Sequence, residues 1–182
     1  MDRIIAYVPE LNLRKWDPLQ IVMLFKISYW LGLRMIEARK LQVDNFDFDR
    51  REVYLGKTKT KKNDSRTIPV PFIPELKEYL RNREGYLFDP IPHRKTIEMW
   101  ANKIGHAIDI EAWITPQKIT GEKTKGHIFR KSIGKDMLYG THKGGKKAPI
   151  TVISNQLGHS NPLTTTKYLR ASQEVVKDYW EE

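Results

Sequence analysis

The chain has 182 residues, with 32 Lys or Arg against 22 Asp or Glu, a formal net charge of +10 and no cysteine. That length suits one domain with its own core, and the absent thiols exclude a disulfide framework, a thiolate nucleophile and a thiolate metal site. No uninterrupted apolar run, such as Ile21 to Phe25, approaches the roughly 20 residues of a membrane span, and no secretory signal opens the chain. The expectation is a soluble, intracellular protein whose charge favours a polyanionic partner.

Asp17-Pro18-Leu19-Gln20 reads as a helix start, with Asp as cap, Pro at the first helical position and Gln at the reciprocal capping position. The helix that follows buries Ile21, Leu24, Phe25, Ser28 and Leu31 on one stripe and ends near Gly32. A short helix is expected from Met35 to Leu41. Phe46 and Phe48 then bring a period of two. Glu52–Thr60 and Ser65–Pro69 read as two strands joined by a polar turn, 61–64. Pro71 and Pro74 stop the sheet before a surface helix, 75–83. Residues 94–110 form another helix, with Ile97, Trp100, Ala101 and Ile104 on its stripe.

From 115 to 125 the chain reads as a loop. His127–Leu138 is helical, although Gly134 weakens it by about 1 kcal/mol relative to alanine. A glycine- and lysine-rich loop, 140–149, precedes short helices at 149–157, 162–169 and 172–180. The fold class is α+β: one mainly helical domain over residues 1–182, with a small antiparallel sheet near its middle.

The charge is uneven along this plan. Lys57, Lys59, Lys61, Lys62 and Arg66 crowd the hairpin with one acid, Asp64, while Lys143, Lys146 and Lys147 crowd the later loop. Residues 174–182 carry four acids and one lysine. Lysine runs are commonly solvated faces, yet lysines on one side of a hairpin also suit a phosphate backbone.

Other residues have two readings as well. Arg34 and Glu37, three apart, make either a surface ion pair or part of a site. His127 and Arg130 share a helix face, where the histidine is either a cap and packed ring or a proton carrier. His159 follows a glycine stop, and Tyr168, nine residues on, is either half-buried packing or a nucleophile. Together the arginines, a lysine, two histidines and a tyrosine suit metal-free phosphoryl transfer. Paired guanidiniums clamp nonbridging oxygens, ammonium or imidazole moves protons, and tyrosine attacks.

These residues stand in motifs that resemble the catalytic domain of the tyrosine recombinases, or phage integrases. The motifs are Gly32-Leu33-Arg34 with Glu37, Gly56-Lys57-Thr58-Lys59-Thr60, His127-x-x-Arg130, Leu157-Gly158-His159-Ser160 and Tyr168. They keep the family's order from about residue 17 to 171. The resemblance implies that Tyr168 attacks a phosphate of double-stranded DNA, leaving a 3′-phosphotyrosyl link and a 5′-hydroxyl. Arg34, Arg130 and His159 would hold the phosphate, Lys59 would protonate the leaving oxygen (Lys57 being the register alternative), His127 would assist, and Glu37 would orient them. No metal or other cofactor is implied.

Candidate DNA contacts are Lys57, Lys61, Lys62, Arg66, Lys131, Lys143, Lys146 and Lys147. Lys131 stands where the family often has a second histidine. The resemblance also implies association on DNA into a tetrameric synapse through the C-terminal tail, 172–182, whose helix 172–180 has Val175, Val176, Tyr179 and Trp180 on a stripe. It implies a cytoplasmic or nucleoid location and integration or excision of a mobile element; the family usually carries an N-terminal core-binding domain, and the expectation from length is that these residues leave no room for it. A type IB topoisomerase and a non-catalytic DNA-binding regulator are the competing readings.

Overall fold

In the computed structural model, residues 1–13, 15–56, 64–110, 128–142, 145–159 and 161–169 are described, with the backbone alone at 167 and 168. The fold is mainly helical with a small antiparallel sheet, as expected. Its elements are α1 (Asp2–Tyr7), α2 (Pro18–Trp30), α3 (Met35–Ala38), β1 (Phe46–Asp47), β2 (Glu52–Gly56), β3 (Asp64–Thr67), α4 (Ile73–Leu80), α5 (Arg94–Ile108), α6 (Ile128–Tyr139), α7 (Ile150–Leu157) and α8 (Pro162–Leu169).

Helix α2 starts where the capping chemistry places it. The Asp17 carboxylate accepts a hydrogen bond from the Leu19 amide at 2.9 Å, and Pro18 fills the first position. Gln20 does not complete the reciprocal cap; its amide donates instead to the Asp89 carbonyl at 3.4 Å. Ile21, Leu24, Phe25, Ser28 and Leu31 are fully buried, and so are Ile27 and nearly all of Met23. A helix covered on more than one face is a central helix rather than a surface one.

The remaining elements close around it. Ile97, Trp100, Ala101 and Ile104 of α5 are buried as their stripe requires, and Asp109 ends that helix in the left-handed region. Helix α4 begins at Ile73, two residues earlier than expected, with Pro74 inside its first turn. Helix α1 carries too few residues for a periodic signal, and only its packing reveals it. Ile4 is buried, Arg3 donates to the Ile108 carbonyl at 2.6 Å, and Trp16 meets Trp100 edge-on at 5.1 Å. The core therefore reaches back to Ile4, before the stretch that begins at residue 17.

The three strands pair antiparallel in the order β1-β2-β3. Asp64, expected in the turn, pairs with Gly56 as the first residue of β3. The expected continuation of β2 to Thr60 falls on 57–63, outside the described residues. So do the expected loop 115–125 and helix 172–180. Among the described residues no helix is long and apolar enough to cross a membrane.

Apolar burial divides into two clusters. The larger runs from Ile4 to Phe129; the smaller joins Ile133 of α6, Ile153 and Leu157 of α7, and Leu169 of α8. Gly134 makes the smaller one possible. A Cβ there would stand 2.8 Å from Leu169 Cδ2 and 3.3 Å from Leu157 Cδ1. The glycine that weakens α6 in isolation lets α7 and α8 approach it. Gly134→Val is expected to lower unfolding free energy by about 1–3 kcal/mol through overpacking, measured by urea denaturation. Unchanged stability would mean that the three helices do not close on this position.

Candidate active site

Two helix ends make the frame. At the end of α2 the Gly32 amide donates to Tyr29 O and the Leu33 amide to Ser28 O, each at 3.0 Å, with Gly32 at φ +62°. At the end of α7 the Gly158 amide donates to Asn155 O and the His159 amide to Ser154 O, each at 2.9 Å, with Gly158 at φ +63°. Both are Schellman closures, in which a left-handed glycine lets the next amides satisfy the last carbonyls. The first delivers Arg34 two residues later, and the second delivers His159 at once.

The two ends abut. A Cβ on Gly32 would lie 2.9 Å from Leu157 Cδ2 and 3.2 Å from Gln156 O. The Gln156 carboxamide then donates to Trp30 O at 3.2 Å and to Thr67 O at 3.0 Å. One side chain thus ties the end of α2 and strand β3 to α7.

Arg34, Glu37 and Arg130 lie side by side in the structure, a meeting that the spacing within each motif does not dictate. One Glu37 oxygen accepts from the Arg34 backbone amide at 2.8 Å, and the other accepts from Arg34 Nη1 at 2.7 Å. Arg130, on α6, points its Nη1 to Gly32 O at 3.2 Å and stands 3.9 Å from Glu37 Oε2. Glu37 therefore lies between two guanidiniums, which would otherwise repel. Its position in the first turn of α3 also suits the helix dipole. The Arg34 side chain is 41% exposed and that of Arg130 2%, so one cation faces outward while the other is held by protein. Phe129 packs against Phe25 with ring centroids 5.1 Å apart and planes tilted by 33°, which fixes the start of α6 on α2.

His159 Nδ1 is 2.8 Å from Thr165 Oγ1, and its carbonyl accepts from the Ser154 hydroxyl at 3.3 Å. Tyr168 stands on α8, one turn beyond Thr165. Asn161 caps that helix by accepting from the Leu163 amide at 2.9 Å. Lys57, Lys59, Lys61, Lys62, His127 and Lys143 lie outside the described residues. Lys131 is half-buried on α6, whereas Lys146 and Lys147 are exposed.

Of the expected DNA contacts, Arg66 is one that the structure places differently. It is buried, not presented to solvent. Its guanidinium grips the Asp64 carboxylate, with Nη2 to Oδ2 at 2.9 Å, and donates to Ser65 O at 2.6 Å. A methyl group on Gly158 would overlap that guanidinium. The pair anchors the base of the hairpin beneath the His159 loop. Alternation on the strand puts residues 64 and 66 on one face, the only local sign of it. Gln156, Thr165 and this pair are the contributors that reading by motif missed.

Two tyrosines elsewhere, Tyr29 and Tyr79, are held protonated. Burial, with the carboxylate of Asp136 as hydrogen-bond partner, pushes Tyr29 well above the usual phenol range. Burial pushes Tyr79 up to about 12.

A family model described as the phage integrase family matches residues 1–174. The chain belongs to that family. Tyrosine recombinase XerA of Pyrococcus furiosus is 28% identical over 179 residues, covering 97% of this chain and 57% of the relative. A tyrosine recombinase of Thermosipho africanus is 26% identical over 157 residues, covering 84% and 50%. The chain thus spans about half the length of these relatives. In fold it is similar to the catalytic domain of bacteriophage HP1 integrase, with a TM-score of 0.63 at 20% identity, covering 100% of this chain and 92% of that one. XerH recombinase bound to a palindromic difH substrate gives 0.65 at 17%, covering 100% and 51%. Membership supports site-specific recombination of the tyrosine-recombinase type at the level of the family.

Arg66→Ala is expected to destabilise the fold by about 3–5 kcal/mol, because it leaves Asp64 buried without its cation. Urea denaturation measures this. A variant of native stability that has only lost DNA affinity would return Arg66 to the phosphate contacts.

Proposed function

We propose that this integrase-family chain cleaves and rejoins duplex DNA through Tyr168, as a site-specific recombinase. The Tyr168 oxygen attacks the scissile phosphorus, forming a P–O bond and giving up its proton. The P–O bond to the 5′ oxygen breaks, and Lys59 supplies that oxygen with a proton. Arg34 and Arg130 hold the nonbridging oxygens, where charge builds, and His159 adds a donor. His127 assists the proton movements. A 5′-hydroxyl of another strand then attacks the 3′-phosphotyrosyl link and releases the tyrosine, so the bond energy is conserved.

The observation that carries this reading is the Glu37-centred pair of arginines, fixed to the same helix end that abuts the His159 loop. Preorganised cations are what an accumulating phosphorane charge requires. Lys57, Lys61, Lys62, Lys131, Lys143, Lys146 and Lys147 contact neighbouring phosphates in this reading, and Arg66 does not. Protomers associate on DNA through residues 172–180. A cavity of about 850 Å3, lined by apolar Trp30, Ile133, Met137 and Val152 and by polar Arg66 and Gln156 among others, supports that reading as a receptor of mixed character.

Tyr168→Phe is expected to keep DNA binding and to abolish a covalent protein–DNA adduct on a nicked suicide substrate, read by denaturing gel. An adduct of undiminished yield would remove Tyr168 as nucleophile. Lys59→Ala is expected to slow single-turnover cleavage more than Lys57→Ala. A substrate whose 5′ leaving oxygen is replaced by sulfur should rescue Lys59→Ala, since a thiolate leaves without a proton. The reverse ranking would move the general acid to Lys57.

A further inference from the structure

Three threonines stand in a row before Tyr168, and the fold uses them differently. Thr164 and Thr166 are exposed, and the Thr166 hydroxyl turns back to the Pro162 carbonyl at 3.4 Å. Thr165 is fully buried, and its hydroxyl meets the imidazole of His159 at 2.8 Å instead. A helical threonine can always return its proton to the carbonyl four residues back. A buried one that faces a ring nitrogen has been given another task.

The histidine at this contact is held from every side that the backbone offers. Its amide donates to Ser154 O, its carbonyl accepts from Ser154 Oγ, and Gly158 before it is set in the left-handed region. Asn161 caps α8 two residues later, which fixes where Thr165 stands. The backbone contacts leave open which ring nitrogen carries the imidazole proton. A neutral imidazole carries one proton, and the partner of one nitrogen decides the state of the other.

We infer that Thr165 is a positioning residue: its buried hydroxyl donates to Nδ1 of His159 and sets the ring as the Nε2–H tautomer, turning a donor toward the scissile phosphate. The inference rests on the recombinase reading for what His159 does, but not for how its proton is placed. With Nδ1 occupied as an acceptor, Nε2 carries hydrogen without the ring becoming charged. The reversed bond, Nδ1–H to Thr165 Oγ1, would leave a lone pair on Nε2, which repels a phosphate oxygen. The selection costs nothing at the moment of reaction, because α8 makes it on folding.

The test is nitrogen NMR of the uniformly labelled full chain near neutral pH without DNA, with His159 assigned through His159→Gln. The wild type is expected to show a protonated Nε2 and an acceptor-type Nδ1. In Thr165→Val the two nitrogen signals move toward each other as the tautomers mix, while Thr165→Ser keeps the wild-type pattern. On a nicked suicide substrate Thr165→Val should cleave roughly ten-fold more slowly at saturating DNA with an unchanged binding midpoint, and Thr165→Ser should restore the rate. A wild-type ring protonated on Nδ1 overturns the inference, and that result needs no variant to fold. Unchanged signals in Thr165→Val overturn it too. A wild type with the expected tautomer but no adduct supports the assignment and overturns the recombinase reading instead.

Discussion

The structure depends on how two helix ends are made to meet. Gln156 gives both hydrogens of its carboxamide to backbone carbonyls, one at the end of α2 and one on β3, while Gly32 and Gly158 strip the contact of side chains. Each carbonyl at a helix end needs a partner, and leaving one buried without it costs free energy comparable to a lost hydrogen bond. Meeting that need across elements converts three separate pieces of chain into one rigid junction. Arg34, His159 and the hairpin base all branch from it within a few residues. Their mutual placement is therefore a property of backbone closure and not of long flexible contacts.

The charges are arranged on the same principle. Two guanidiniums brought together repel, and Glu37 compensates by giving one oxygen to the Arg34 amide and the other to its side chain while standing near Arg130. Gly32 O adds a further acceptor to Arg130. Orientation is set on folding, before any anion arrives. Beneath this, Asp64 and Arg66 form a pair whose gain in the interior is offset by desolvation. Such a pair adds little net stability, yet it strongly penalises any structure in which β3 is shifted and one charge is stranded. It acts as a register pin for the hairpin.

Much of the fold was legible because its signals are local. Asp17-Pro18 names the start of α2, the stripe from Ile21 to Leu31 names its buried face, and Gly158 names the end of α7. The motif residues were legible as types in order, and the proximity of Arg34, Glu37 and Arg130 was something that only the family resemblance implied. What stayed hidden depends on residues distant in sequence. A charged pair in a lysine-rich hairpin looks solvated until Gly158 is laid over it. Gln156 looks like an ordinary polar helix residue until folding brings two distant carbonyls within its reach. Gly134 looks like a flaw in a helix until Leu169 arrives. Helix α1 is six residues long, less than two turns, and gives periodicity no room to register.

The division of the core into two clusters has a consequence for the order in which the molecule comes apart. His159 and the backbone of Tyr168 are carried by elements of the smaller cluster, four buried residues among those described, whereas Arg34 caps a helix seated on the larger one. Free energies of partial opening scale with the apolar surface that each opening exposes. Because Gln156 ties α7 to α2 and β3, α8 is the easier unit to release, and amide exchange there should outrun that of α2. A chain built this way can lose α8 and recover it while Arg34 stays in place.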